Sequence, residues 1–202
     1  MTTEIILLRH GETDWNATGR IQGHGGPGLN EVGRAQAQDA AQTLISQPID
    51  LIYSSDLARA RETAEIIGEM LGVPVILDER LRERGHGDYQ GYTTAELNEQ
   101  FPGWRDGWDV NKIDAKAPNG ESAREVLLRL APALDEIASK HSGRRVLVVS
   151  HGGAINIAWV FAEGRPHEEA WNRKTVNCDQ VAIKWPPPQS PEAWLVAQGN
   201  AA

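Results

Sequence analysis

Two histidines each follow a short apolar run and precede glycine: Leu8-Arg9-His10-Gly11 near the start, and Ser150-His151-Gly152-Gly153 late in the chain. Glycine after each imidazole allows a sharp turn, and the N–H groups of the segment that follows can point at an anion. Arg9 adjoins the first histidine, and Arg59 sits in the first turn of a stretch with helical spacing. Two imidazoles and two guanidiniums together suit a phosphate dianion held by planar, bidentate donors. The arginines keep their charge, so they clamp and neutralise. Their field lowers the pKa of a nearby imidazole below its ordinary ~6.5, which favours a neutral nucleophile at pH 7. An imidazole nitrogen can then attack phosphorus in line and form a covalent intermediate, a step governed by positioning and charge stabilisation. The departing alkoxide needs a proton. Glu83, in Leu81-Arg82-Glu83-Arg84-Gly85-His86-Gly87, is the best candidate donor and later the base for water; such a group contributes roughly 10²–10⁴-fold.

These groups meet only if the fold brings strand ends together. Apolar runs at Glu4–Leu8, Asp50–Tyr53, Val73–Leu77 and Arg145–Ser150 alternate with helical patterns. The alternation predicts an α/β fold: a three-layer α/β/α domain with a mostly parallel sheet, spanning residues 1–202 as one unit. Ligands of such sheets bind outside the carboxyl ends of the strands. Asn30 is expected to cap a helix to about Ile45, Ser54-Ser55-Asp56 to cap one ending at Gly72, and another to run from Gly120 to Lys140 with Leu127, Leu130, Leu134 and Ile137 inward and a kink at Pro132. An apolar helix follows His151 through Phe161. Val181–Trp185 and Ala193–Ala197 are expected to be antiparallel strands joined through Pro186-Pro187-Pro188. Residues 92–119 lack sustained periodicity and predict a short helix within a lid-like excursion, in which Tyr92, Phe101, Trp104 and Trp108 serve packing before substrate selection.

At this point the residues resemble a known family. Leu8-Arg9-His10-Gly11-Glu12-Thr13 with Trp15-Asn16 looks like the opening motif of the histidine phosphatases, the phosphoglycerate-mutase-like superfamily. Gln22-Gly23, Leu29-Asn30-Glu31-Val32-Gly33, Ser54-Ser55-Asp56-Leu57-Ala58-Arg59-Ala60, Leu81-Arg82-Glu83, Gly120-Glu121-Ser122 and Ser150-His151-Gly152-Gly153 follow in the same order and spacing. The resemblance implies that His10 is phosphorylated, that Glu83 donates the proton, and that Arg9, Arg59 and His151 hold the phosphoryl group. It places Asn16 and Gln22 beside that group, with Gly152 following His151, and implies no metal and no cofactor.

The same family holds hydrolases and sugar-phosphate mutases. Glu83-Arg84 with Gly87 and Gln90-Gly91 resemble the mutases, but Trp104-Arg105-Asp106-Gly107-Trp108 replaces their Arg-Arg-Ser-Tyr stretch, and Gly153 stands where they tend to have Asn. Hydrolysis of small phosphate monoesters is therefore the expectation, with a cofactor-dependent mutase or a non-catalytic phospho-ligand binder as alternatives. Lys112 and Lys116 read as solvated before they read as a mutase's extra cations. His86, in place of an aromatic, serves either substrate or packing.

Composition narrows the rest. A formal net charge of −8 over 202 residues excludes a basic nucleic-acid surface but permits a locally positive site. Cys178 stands alone, so no internal disulfide forms; it reads as a buried apolar side chain in a strand, and the compartment as reducing. The start Met1-Thr2-Thr3-Glu4 lacks a basic leader and no window is long enough to span a bilayer, which points to the cytoplasm. Neither HExxH, paired cysteines nor Gly-x-Ser-x-Gly occurs. The expected partner is a small phosphorylated metabolite, with room left for a homodimer.

Overall fold

Strands β1 (Thr3–Arg9) and β4 (Arg145–Ser150) pair in parallel near the middle of a five-stranded sheet. The computed structural model describes residues 3–105, 108–109 and 112–199; the expectations placed on Met1, Thr2, Asp106 and Gly107 lie outside them. β2 (Leu51–Ser54) and β3 (Val75–Leu77) extend the sheet in parallel, and β5 (Gln180–Trp185) closes the other edge antiparallel to β1, giving the order β3-β2-β4-β1-β5. The helices are α1 (Asp14–Ala17), α2 (Glu31–Leu44), α3 (Ala58–Leu71), α4 (Thr94–Gln100), α5 (Ala123–Lys140), α6 (Gly152–Ala162) and α7 (Pro191–Gly199).

The central strands read as continuous apolar runs because both faces are covered. Ile5, Leu7, Val146 and Val148 join one core with α5 and α6, whereas Ile6, Leu8, Leu147 and Val149 join another with α2 and α3. Three layers result, as expected. The chain leaving β1 runs to α2 on one face, and the chain leaving β4 enters α6 on the other. Two adjacent strands with diverging exits leave a crevice at their carboxyl ends.

Local signals explain most boundaries. Asn30 caps α2 by accepting the Gly33 N–H, and Gly72 ends α3 with φ 69°. Ser122 and Glu125 form a reciprocal capping box, so α5 begins at Ala123 and Gly120-Glu121 stay outside it. The expected inward residues of α5 are buried, and Pro132 lies within the helix.

Three expectations are corrected. Ser54-Ser55-Asp56 does not cap α3, whose N-cap is Leu57 without a side-chain bond; the Ser55 hydroxyl accepts the N–H of Leu57 itself at 3.3 Å, ahead of the helix, and lies against His151. Ala193–Ala197 belong to helix α7. Pro191 suits the first helical position, the Ser190 carbonyl accepts the Trp194 N–H at 3.0 Å, and the adjacent Trp194 and Leu195 are both buried, which strand alternation forbids. Cys178 lies in the loop before β5 with φ 57°, half-buried. Burial pushes its thiol up to about 12, so it is inert as a nucleophile.

The 92–119 excursion carries α4, capped by a Thr93/Glu96 box. Tyr89, Leu97 and Ala117 form its small core, with Tyr92, Phe101, Trp104 and Trp108 packed around them.

The first turn of α2 abuts the backbone that follows His10. A Cβ on Gly33 would fall 2.1 Å from the Glu12 carbonyl oxygen, and backbone on both sides leaves nothing flexible to yield. Gly33→Ala is expected to cost about 1–3 kcal/mol, read as a lowered urea midpoint.

Candidate active site

Arg9 pairs with Ser150 in the β1–β4 register, so the next residue on each strand is a histidine at the same level. The rings of His10 and His151 lie 5.2 Å apart between centroids, both buried. His10 Nδ1 is 2.7 Å from the Gly11 carbonyl oxygen. A carbonyl only accepts, so Nδ1 carries the proton and Nε2 presents its lone pair. The Arg59 Nε–H donates to that Nε2 at 3.2 Å. Burial first, then the charges of Arg59 and Arg9, hold His10 well below 6.5; burial and Arg59 do the same to His151.

Arg59 is anchored by donating to the Gly25 and Gly23 carbonyls at 2.9 and 2.7 Å. Arg9 donates to the Thr175 carbonyl at 2.5 Å, and its buried Nε has no partner among the described residues. Burial lowers both guanidiniums, Arg59 to about 10, so both stay charged at pH 7. Neither forms an ion pair with a carboxylate among the described residues. A buried Arg59 and a half-buried Arg9, bonded to backbone carbonyls and the neutral His10 ring but to no carboxylate among the described residues, make a site that an anion completes.

Glu83 faces the same space. Its Oε1 accepts the N–H of Arg84 and Ala154 at 2.8 and 3.0 Å, and Oε2 accepts that of Gly153 at 3.1 Å. The first turn of α6 thus aims the carboxylate. Gly153 is needed for this approach, since a Cβ there would lie 2.7 Å from Oε1. Asn16 is fixed by the α1 capping box, in which its Oδ1 accepts from Thr13 N and Oγ1, leaving its N–H₂ for a ligand.

Arg9, His10, Asn16, Gln22, Arg59 and Glu83 all line one cleft of about 160 Å³, with Arg20, Ile21, Gly23, His86 and Trp108. His151 stands behind this wall, its Nε2 2.9 Å from the Ser55 hydroxyl and its buried Nδ1 unpartnered. Gly152 lies against Arg9, close enough that a Cβ would sit 3.6 Å from Nε. Six of the residues expected from the sequence thus line the cleft, while His151 and Gly152 lie behind it, beside His10 and Arg9. Among the described residues no group of three His, Cys, Asp or Glu side chains is arranged to hold a metal.

Sequence reasoning missed several supports. Asn177 donates to the His10 carbonyl at 3.0 Å, and Thr63 Oγ1 accepts the Gly11 N–H at 3.0 Å. Arg129 donates to the carbonyls of Arg80, Arg82 and Glu83 at 2.8, 2.9 and 2.7 Å, while Glu121 holds its guanidinium. Thr63, just after the Arg59 stretch, and Glu121, in Gly120-Glu121-Ser122, fall within the family resemblance without an assigned role, whereas nothing local marks Asn177 or Arg129. Asn156 is buried and accepts from Thr175 Oγ1 at 2.6 Å, which steadies the loop that holds Arg9.

The model of the histidine phosphatase superfamily (branch 1) matches residues 5–193. The chain belongs to this superfamily. It is 45% identical over 166 residues, 81% of this chain and 71% of the relative, to phosphoglycerate mutase-like protein 4 of Arabidopsis thaliana. It is 41% identical to a metal-independent phosphoserine phosphatase of the same plant, over 78% of this chain and 68% of that one. The solved mycobacterial glucosyl-3-phosphoglycerate phosphatase in complex with VO3 superposes with a TM-score of 0.82 at 34% identity, covering 89% of this chain and 90% of that one. Phosphatase neighbours of this similarity make the histidine phosphatase superfamily member described here a phosphatase enzyme. No helix among its described residues is long and apolar enough to cross a membrane.

The buried imidazoles of this histidine phosphatase superfamily member predict its acid sensitivity. His10 and His151 stay neutral in the folded chain below 6.5, whereas unfolded histidine takes up a proton there. The unfolded state then binds more protons, so stability is whole above ~6.5 and falls as pH drops toward the folded values. Between pH 7.5 and 5.5 the loss is expected to be about 1 kcal/mol per histidine, read from urea unfolding of the phosphate-free protein.

Proposed function

We propose that the protein hydrolyses small phosphate monoesters through a phosphohistidine on His10, with no metal in the cycle. The observation that carries this reading is the state of His10: its Nδ1–H donates to the Gly11 carbonyl, and its Nε2 is unprotonated and accepts the Arg59 Nε–H. In the first half, the Nε2 lone pair attacks phosphorus while the Arg59 and Arg9 N–H groups pass to the phosphoryl oxygens. The P–O bond to the alcohol breaks, and the leaving oxygen takes a proton from the Glu83 carboxyl. In the second half, water gives a proton to the Glu83 carboxylate and adds to phosphorus. The P–N bond breaks, its electron pair returns to Nε2, and inorganic phosphate departs. His151 neighbours His10 and contributes a further donor toward the phosphoryl group, as do Asn16 and Gln22 on the cleft wall.

Transfer to a second phosphorylated acceptor is less well supported. Lys112 and Lys116, the candidates for extra cationic contacts, pair with Asp109 and Glu125, and neither lines the cleft. The single cysteine favours a reducing, cytoplasmic setting.

His10→Ala is expected to abolish turnover of p-nitrophenyl phosphate and the acid-labile label left by a radioactive phosphate donor, with a chelator present throughout. Full activity in that variant would overturn the mechanism. Glu83→Gln should slow alkyl phosphates by roughly 10²–10⁴-fold and nitrophenyl phosphate much less, because nitrophenolate needs little help to leave.

A further inference from the structure

The cleft wall away from His10 consists of Arg20, Ile21, His86 and Trp108, and its charge is settled by a residue outside it. Three cations line the cleft, and Arg9 and Arg59 serve the phosphoryl group. Arg20 donates through one terminal nitrogen to the Gly91 carbonyl at 2.6 Å and to Glu96 Oε2 at 2.8 Å, and through the other to Glu96 Oε1 at 3.1 Å. An exposed pair exchanges partners easily, but this carboxylate is pinned. It is the capping-box residue of α4, accepting the Thr93 N–H at 2.8 Å. Asp106, Gly107, Val110 and Asn111 add no positive charge by their nature.

The remaining wall is flat and neutral. His86 stacks on Trp108 with centroids 4.6 Å apart and planes 24° from parallel. Burial pushes its imidazole down to about 4, so at pH 7 it offers one N–H donor and one lone pair. Neither nitrogen has a hydrogen-bond partner among the described residues.

We propose that Glu96, by neutralising Arg20, makes the cleft select phosphomonoesters whose alcohol part is uncharged and has a flat face, over phosphorylated acids. A substrate carboxylate would enter beside Glu83 with no free cation to meet it, whereas a sugar or aryl ring can stack on the His86–Trp108 pair and bond to the imidazole. This rests on the phosphatase reading and names the substrate class of the same site.

The test compares glycerol 3-phosphate with 3-phosphoglycerate, which share a three-carbon skeleton and differ in whether one end is a hydroxyl or a carboxylate. Glucose 6-phosphate and p-nitrophenyl phosphate supply the sugar and aryl arms. The wild type is expected to favour the glycerol ester by about tenfold or more in kcat/KM. Glu96→Gln keeps the helix cap and frees the Arg20 charge, and should shift the acid-to-glycerol ratio at least about fivefold toward the acid, an effect that salt weakens. Trp108→Ala should lower the ratio of the ring esters to the glycerol ester, more for whichever ring the site is built for. A wild type that prefers 3-phosphoglycerate, or a ratio unmoved by Glu96→Gln, overturns the proposal while leaving hydrolysis intact. Turnover of none of the four esters overturns the phosphatase reading and this proposal with it.

Discussion

The parallel register of β1 on β4 is the constraint on which the site depends. Arg9 opposite Ser150 sends two imidazoles out of the sheet side by side, although 140 residues lie between His10 and His151 in the sequence. A slip of one residue would turn every side chain of the strand to the wrong core. Ile5 and Leu7 would leave the face of α5 and α6, and Ile6 and Leu8 that of α2 and α3. The hydrophobic layers therefore enforce the alignment that the chemistry uses. Packing and geometry cannot be varied independently here.

Charge is the second organising element. The fold holds a buried Arg59 and a half-buried Arg9 against backbone carbonyls and gives neither a carboxylate partner among the described residues. Their field falls on His10, whose own burial already disfavours protonation. The same arrangement thus prepares an anion site and keeps the His10 nitrogen that faces Arg59 unprotonated. Glu83 stays apart from both guanidiniums because three backbone N–H groups occupy it. A closer carboxylate would have satisfied the arginines and closed the site to phosphate.

The layers and the principal side chains were legible in the sequence because each leaves a local mark. Continuous apolar runs mark doubly covered strands, and His-Gly at their ends marks the crevice. The misreadings came from segments whose context decides. Ala193–Ala197 is a short apolar run that fits strand or helix, and only Pro191 with Ser190 in front of it and burial on neighbouring positions settle it as helix. Ser55 looked like a cap because hydroxyls usually are one near a helix start, but His151 lies close enough to claim it. Arg129 and Asn177 act through backbone groups far away in sequence, so no spacing could reveal them. Their roles exist only once the chain has folded.

The loop before β5 has a bearing on how the molecule is made. Thr175 secures Arg9, Asn177 secures the His10 carbonyl, and the Cys178 N–H donates to the Arg9 carbonyl at 3.1 Å. Arg9 and Thr175 stand 166 positions apart in sequence and His10 and Asn177 167 apart, so these bonds can form only once β5 has docked along β1. An edge strand outside the cleft thereby decides whether Arg9 and His10 are held, and a chain that lost this one pairing would keep both side chains yet leave them unfixed.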